Sequence, residues 1–365
     1  MLHHSVKISE QKLSAVQNRT EDFKLKRIIL LALLCTFAQE LIAKDKTKRI
    51  GVLYWSNTIE GQVAMRFGLE QKAEELQSLG DLKFEIVPYV AGDGPQGIKN
   101  QIHQMNLLVD QNVDLIIVQP TDNAALTEPL RRANRSQIPV VAYDQYIVGG
   151  KIASYVTSNN YQAGRLNGEY IDSLFENNYN LKIIVVEYPR VSSTVERVEG
   201  FFDSLKNSGQ RYTILSRYEA VEPKSGKIAA NEILAHYPEK NSIDVIFTVN
   251  DGGGLPIVEA LHNAGRHEIK TATIDGDPQS VANIEAGRLT VIDSAQFCAE
   301  LGRQSIGVAY KILTGKKVPK KIMVPTFPIT KQTLHRYPGW NGSIPTTFSK
   351  PWKKDDTWNN NLQTR

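Results

Sequence analysis

Cysteine is almost absent: 365 residues hold two, Cys35 and Cys298. Cys35 falls in a segment read below as a removable signal, so Cys298 stands alone in the mature chain. That excludes a disulfide, a cysteine-based metal site and a redox pair. Beside Phe297 and Ala299, Cys298 reads as a small core residue. Excess charge is missing too. With 43 Lys/Arg against 39 Asp/Glu the formal charge is +4, so the balance points to neither nucleic acid nor an acidic membrane surface. Histidines are few, and past the N-terminal segment no two lie closer than His262 and His267, which does not fit a metal pair. There is no Gly-x-Ser-x-Gly elbow, and Gly252-Gly253-Gly254 lacks the Lys-Ser/Thr of a phosphate loop. No enzyme, cofactor or metal is expected.

What is present begins with an export signal. Lys24, Lys26 and Arg27 precede the apolar run Ile28 to Ala38, too short for the ~20 residues of a membrane helix and suited to a signal core. Thr36 and Ala38 offer a cleavage site before Gln39, with Ala43 as the alternative, so residues 1–43 are taken as the signal segment. A lipid anchor is not expected, because Leu34 precedes Cys35 where a small residue is wanted. Without residues 1–38 the formal charge falls to +1, and the mature protein is expected to be exported.

The remaining chain alternates short apolar runs with helical patterns, which predicts βαβ units and parallel sheets. At 41% hydrophobic and 22% charged, a chain of this length is a soluble globular protein of two domains. Strands are expected at 50–55, 84–90, 114–118, 138–144, 153–157, 182–187, 212–216, 245–249, 271–274, 289–293 and 322–327. Helices are expected between most of them, though not over 145–152 or 275–288, several ending at a glycine such as Gly80 or Gly265. The fold class is therefore α/β, with two similar doubly wound parallel-sheet lobes. Residues 335–365, with three of the tryptophans, show no clear period and predict an extended tail that packs partly on the body and frays at its end.

In open α/β sheets ligands sit beyond the carboxyl ends of the strands. Here those ends carry Trp55-Ser56-Asn57, Thr121-Asp122, Asp144-Gln145, Ser158-Asn159-Asn160, Asn250-Asp251 and Asp275-Gly276. Carboxylates accept several O–H bonds and amides both donate and accept, so this set suits a ligand rich in hydroxyls. Asp144, Asn250 and Asp275 are candidate contacts, with turn or cap bonding as the plainer role for each. Asp251 is expected to cap the helix that follows.

Val140-Val141-Ala142-Tyr143-Asp144, Thr157-Ser158-Asn159-Asn160, Arg197-Val198-Glu199-Gly200-Phe201, Val249-Asn250-Asp251 and Thr273-Ile274-Asp275-Gly276 stand in the order and spacing of one known family. Over about residues 48–330 the chain resembles the ribose/galactose-type periplasmic binding proteins. The resemblance implies a type I fold with a three-crossing hinge, near residues 155–158, 294–296 and 325. It also implies sugar contacts from Asp144, Arg197, Asn250, Asp275 and Gln296. Arg197 could instead pair with Glu196 or Glu199. Two departures stand out: Gln145 replaces an arginine common in relatives, and Ile59-Glu60-Gly61-Gln62 replaces an aromatic pair, so Trp55 or Tyr54 is left to supply a stacking face.

The expected lobes are 44–155 plus 296–325 and 156–295 plus 326–340, with 341–365 as tail. The implied function is capture of a small hydroxylated ligand and delivery to the permease of an ABC transporter. Sensing on behalf of a membrane sensor kinase or chemoreceptor is the alternative. A monomer is expected, with no nucleic-acid partner, since the signal occupies the place of a DNA-binding helix-turn-helix.

Overall fold

Leu115-Ile116-Ile117-Val118 and Val140-Val141-Ala142-Tyr143 are buried at every position, as strands covered by helices on both faces must be. The computed structural model describes residues 47–365, and the signal segment lies outside the described residues. In chain order the first elements are β1 (Lys48–Tyr54), α1 (Glu60–Ser78), β2 (Phe84–Val90), α2 (Gly94–Asp110), β3 (Leu115–Val118), α3 (Thr127–Arg135), β4 (Val140–Tyr143) and β5 (Ser154–Ser158). Next come α4 (Asn160–Asp172), β6 (Leu181–Glu187), α5 (Ser192–Ser208), β7 (Tyr212–Glu219), α6 (Pro223–His236), β8 (Val245–Thr248), α7 (Asp251–Asn263), β9 (Lys270–Asp275), α8 (Pro278–Glu285) and β10 (Thr290–Ala295). The chain ends with α9 (Cys298–Leu313), β11 (Lys321–Val324), β12 (Phe327–Thr330), β13 (Phe348–Ser349), β14 (Thr357–Trp358) and β15 (Gln363–Thr364).

Two large sheets result. The first runs β15-β11-β5-β4-β3-β1-β2 and the second β12-β10-β9-β8-β6-β7. Numbered within each half, both contain the order 2-1-3-4-5, whose switch point lies between the first and third strands. The β1/β3 and β6/β8 neighbours are parallel, and their carboxyl ends are where that topology places a ligand. β12 joins antiparallel to β10, and β15 antiparallel to β11.

The chain passes between the sheets three times: at Asn159 between β5 and α4, at Gln296–Phe297 between β10 and α9, and at Pro325–Thr326 between β11 and β12. After the first passage α4 bonds the second sheet, with Asn167 Nδ2 donating to the Thr273 carbonyl at 2.7 Å. After the second, α9 packs on α1, β3, β4 and β5.

Several sequence expectations need correcting. The strand at 153–157 is not divided between the lobes. It is β5, paired parallel to β4 in the first sheet, and it lies well inside a layer that a boundary at 155 would cut. The single strand expected over 322–327 is two strands in different sheets, divided at Pro325, which has no N–H for a ladder. The strand expected at 289–293 runs on to Ala295 as β10 of the second sheet, parallel to β9. Helix α8 was not expected, because eight residues opened by Pro278 are too few to show a period. The tail does not fray: Arg365 O accepts from Lys320 N and Lys321 N at 2.9 and 3.0 Å. Its Trp358 is 1% exposed and donates Nε1–H to Thr326 O at 2.6 Å, at the third crossing. Lys350 is buried in ion pairs with Glu169 of α4 and Asp356.

One close contact sets where Arg197 lies. Helices α4 and α5 approach so nearly that a Cβ on Gly164 would fall 1.9 Å from the Arg197 carbonyl oxygen. Gly164→Ala must therefore push the helices apart. We expect a loss of about 1–3 kcal/mol, read as a lower urea midpoint at unchanged slope. A midpoint equal to wild type would show that this spacing carries no constraint.

Candidate functional site

Asp144 follows β4 in the left-handed region, at φ +62°. Aspartate tolerates that conformation better than most residues, and its backbone is held on both sides. Its N–H donates to Val156 O at 2.8 Å, while its carbonyl accepts from Tyr155 Oη and Thr157 Oγ1, both at 3.0 Å. The carboxylate is 3% exposed. Oδ2 accepts from Gln119 Nε2 at 2.9 Å, and Oδ1 is buried with no donor in hydrogen-bonding geometry. Burial raises this carboxyl above its ordinary pKa, against the opposing pull of the Gln119 amide and the Arg197 charge.

Asp275 ends β9 with φ +139°, a conformation residues with a Cβ rarely hold without support. Its Oδ1 accepts from Arg197 at 3.1 Å and from Gln296 Nε2 at 2.5 Å. Arg197 is 3% exposed, and also donates to Asn160 Oδ1 at 2.9 Å and Val249 O at 2.7 Å. It thus faces inward, and Glu196 lies instead near Lys321. Burial pushes Asp275 up to about 7, with Arg197 and Gln296 pulling the other way. Behind it, Asp293 is raised to about 6 by burial, and Asp251 is raised further by burial and by the charges of Asp293 and Asp275.

All six residues proposed from the sequence, Trp55, Asp144, Arg197, Asn250, Asp275 and Gln296, line one chamber of about 30 Å³ between the two sheets. Trp55 supplies the aromatic wall. Tyr54 does not line it, and its hydroxyl bonds Glu70 at 3.2 Å. Asn250 reaches the chamber while capping α7: its Oδ1 accepts from Gly253 N at 3.1 Å and its Nδ2 donates to Val221 O at 2.9 Å. The cap is therefore Asn250 and not Asp251, which instead accepts from Thr273 Oγ1 and Asp277 N at 2.7 and 2.8 Å.

Sequence reasoning missed Gln119, the residue directly after β3. It joins Trp55 N to Asp144, and the strand-end rule that found Asp144 would have found it. It also missed how Gln145 spans the cleft, accepting from Ser193 Oγ at 2.7 Å. Asn123 Oδ1 accepts from Ser192 N at 2.9 Å and Glu222 Oε1 from Gly94 N at 2.9 Å, so the lobes are bonded together around the chamber. A water needs about 10–15 Å³ of such space, so the chamber in this conformation holds about two waters and no sugar. A larger cavity of about 550 Å³ shares Ile59, Gly61 and Asp275 with it and is lined also by Trp340.

A family described as the periplasmic binding protein domain matches residues 50–317. The chain belongs to this family. The ribose import binding protein of Escherichia coli is 24% identical over 304 residues, 83% of this chain and 96% of that protein. Its Bacillus subtilis counterpart is 27% identical over 266 residues, 72% and 81% of the two chains. Among solved structures, an ABC transporter solute-binding protein from Bacillus halodurans with bound myo-inositol aligns with a TM-score of 0.70 at 23% identity, covering 80% of this chain and 97% of that one. One from Agrobacterium vitis with bound allitol gives 0.69 at 26%, with the same coverage. Among the described residues no helix is long and apolar enough to cross a membrane, and no group of three or more His, Cys, Asp or Glu could hold a metal ion.

Proposed function

We propose that this chain captures a sugar or polyol between its two lobes in the periplasm and delivers it to the permease of an ABC transporter. The observation that carries the reading is the Asp144 carboxylate, buried at the chamber wall with Oδ1 lacking a donor, because a buried acceptor without a partner is costly unless something supplies one. A ligand hydroxyl would do so. The lobes are taken as β1 to β5 with α9 and β11, and α4 to β10 with β12. Since the chamber is too small for a sugar, binding requires them to part about the three crossings and reclose on the ligand. Binding contacts from both lobes then favour the closed state. Relatives named for ribose import, and solved neighbours with bound myo-inositol and allitol, support the ligand class.

A sensing role would need a further surface for its membrane partner, and the tail's tryptophans are the candidates. Those side chains are engaged on the chain itself, Trp358 at Thr326, Trp340 at Asp275 and Trp352 edge-on to Tyr170 at 5.3 Å. A monomeric carrier remains the reading we favour.

Thermal-shift measurements with ribose, myo-inositol, allitol and D-allose test it, because a ligand that binds only the folded state raises the melting temperature by mass action. At least one should do so. Asp144→Asn keeps a residue that tolerates positive φ but replaces an acceptor by a donor. Losing one charge-assisted bond of about 1.5–3 kcal/mol predicts about ten- to hundred-fold weaker binding by calorimetry. No shift with any of the four would overturn the ligand class, and unchanged affinity in Asp144→Asn would remove Asp144 from the site.

A further inference from the structure

The turn that aims Asp275 is held from outside the matched region. Asp275, at φ +139°, is followed by Gly276 at +83°; the glycine holds such a φ freely, but for Asp275 it is a costly backbone unless its surroundings fix it. The Asp275 carbonyl accepts from Gln296 N at 3.0 Å and from the indole Nε1 of Trp340 at 2.6 Å. The next carbonyl, that of Gly276, accepts from Tyr337 Oη at 3.3 Å. Both donors belong to the tail, beyond residue 317 where the family match ends.

Each donor is itself fixed. Tyr337 stacks on Phe327 of β12 at 5.8 Å, and its hydroxyl lies so close to the turn that a Cβ on Gly276 would come within 2.6 Å of it. Trp340 is tied at its own carbonyl by Ala299 N, at 3.2 Å, in the first turn of α9. Its ring also abuts α1, with Cζ2 3.7 Å from where a Cβ on Gly61 would stand. Between them Pro338-Gly339, with Gly339 at φ +81°, bends the tail so that both side chains meet one turn.

We propose that Tyr337 and Trp340 are positioning residues of the ligand site, which clamp the Asp275–Gly276 turn so that the Asp275 carboxylate stays opposite Arg197 and Gln296. The tail then takes part in binding without touching ligand. This rests on the reading that Asp275 meets the ligand. It adds that a segment outside the family's matched region sets how well it does so.

The test uses Trp340→Phe, which keeps a ring and removes the N–H, and Tyr337→Phe, which removes only the hydroxyl, each in the full mature chain. Two readouts are needed. Amide hydrogen exchange without any ligand should quicken at Gly276 and Gln296, whose N–H groups bond within or beside the turn, while β3 and β4 keep wild-type protection. Calorimetry with whichever of ribose, myo-inositol, allitol or D-allose binds wild type best should give affinity about two- to ten-fold weaker for each variant, and more for the pair. A tail that merely packed would raise exchange in residues 335–365 and leave Gly276, Gln296 and affinity unchanged, which overturns the proposal. Wild type silent to all four probes would refute the ligand class instead, and the exchange result would still decide the clamp.

Discussion

Replacing Arg197 by Met should destabilise the protein by about 3–5 kcal/mol and remove measurable sugar or polyol binding. The guanidinium is almost fully buried and makes three bonds, to Asn160 Oδ1, Val249 O and Asp275 Oδ1. Methionine matches the stem of the side chain but supplies no donor, so a carbonyl and an amide oxygen lose a donor and Asp275 loses its counter-charge. A buried charge without a partner is the dominant cost, since breaking such a pair costs far more than the pair is worth. Urea unfolding measures the loss. Asp275→Asn in the same background should recover much of it, because an amide needs no counter-charge, and the double-mutant cycle then isolates the pair. A single variant within 1 kcal/mol of wild type, or no recovery in the double, would sink this account.

Arg197 also shows how far the sequence could be read. Its inward orientation came only from the family resemblance, since on helical periodicity alone it could equally have faced Glu196 or Glu199. The strands were easier. Runs such as Leu115–Val118 and Val140–Tyr143 are apolar at every position because both faces are covered, and that pattern has few other readings. Asp144, Asn250 and Asp275, which do share one chamber, were put forward because strand ends are where this topology places a ligand.

What escaped depends on distant partners. Nothing in residues 119 or 145 announces that Gln119 bonds Asp144 or that Gln145 bonds Ser193 across the cleft. The end of β15, Gln363–Thr364, is a polar pair whose strand character comes only from the edge of β11. The division of β11 from β12 was hidden in one apolar run, although Pro325 marked it. The left-handed backbone at Asp144 and Asp275 was likewise unforeseen, because neither residue is glycine.

Folding stability should rise as the pH falls from 8 to 5, by about 2–4 kcal/mol. The source is the buried carboxyls beside the chamber. Asp293 accepts from Gly276 N at 2.9 Å through Oδ1, its Oδ2 has no donor, and besides burial the charges of Asp293 and Asp275 raise Asp251 while those of Asp293 and Asp144 add to the rise of Asp275. Burial raises Asp275 to about 7 and Asp293 to about 6, against about 3.9 for an aspartate in the unfolded chain. A raised carboxyl means that the folded state binds its proton more tightly, so between these values the folded state holds more protons than the unfolded one and stability falls with rising pH. The penalty is absent below about pH 4 and complete above about 7. Asp356 and Glu268 are shifted the opposite way, with Lys350 and Arg266 pulling them below the ordinary range. Their stabilisation is lost only at and below the unfolded value near pH 4, outside this window. Urea unfolding at pH 5, 6, 7 and 8 measures the slope, and Asp293→Asn should flatten it by removing one titrating group. A flat profile in wild type, or greater stability at pH 8, would mean that these carboxyls are solvated or paired well enough to ionise freely.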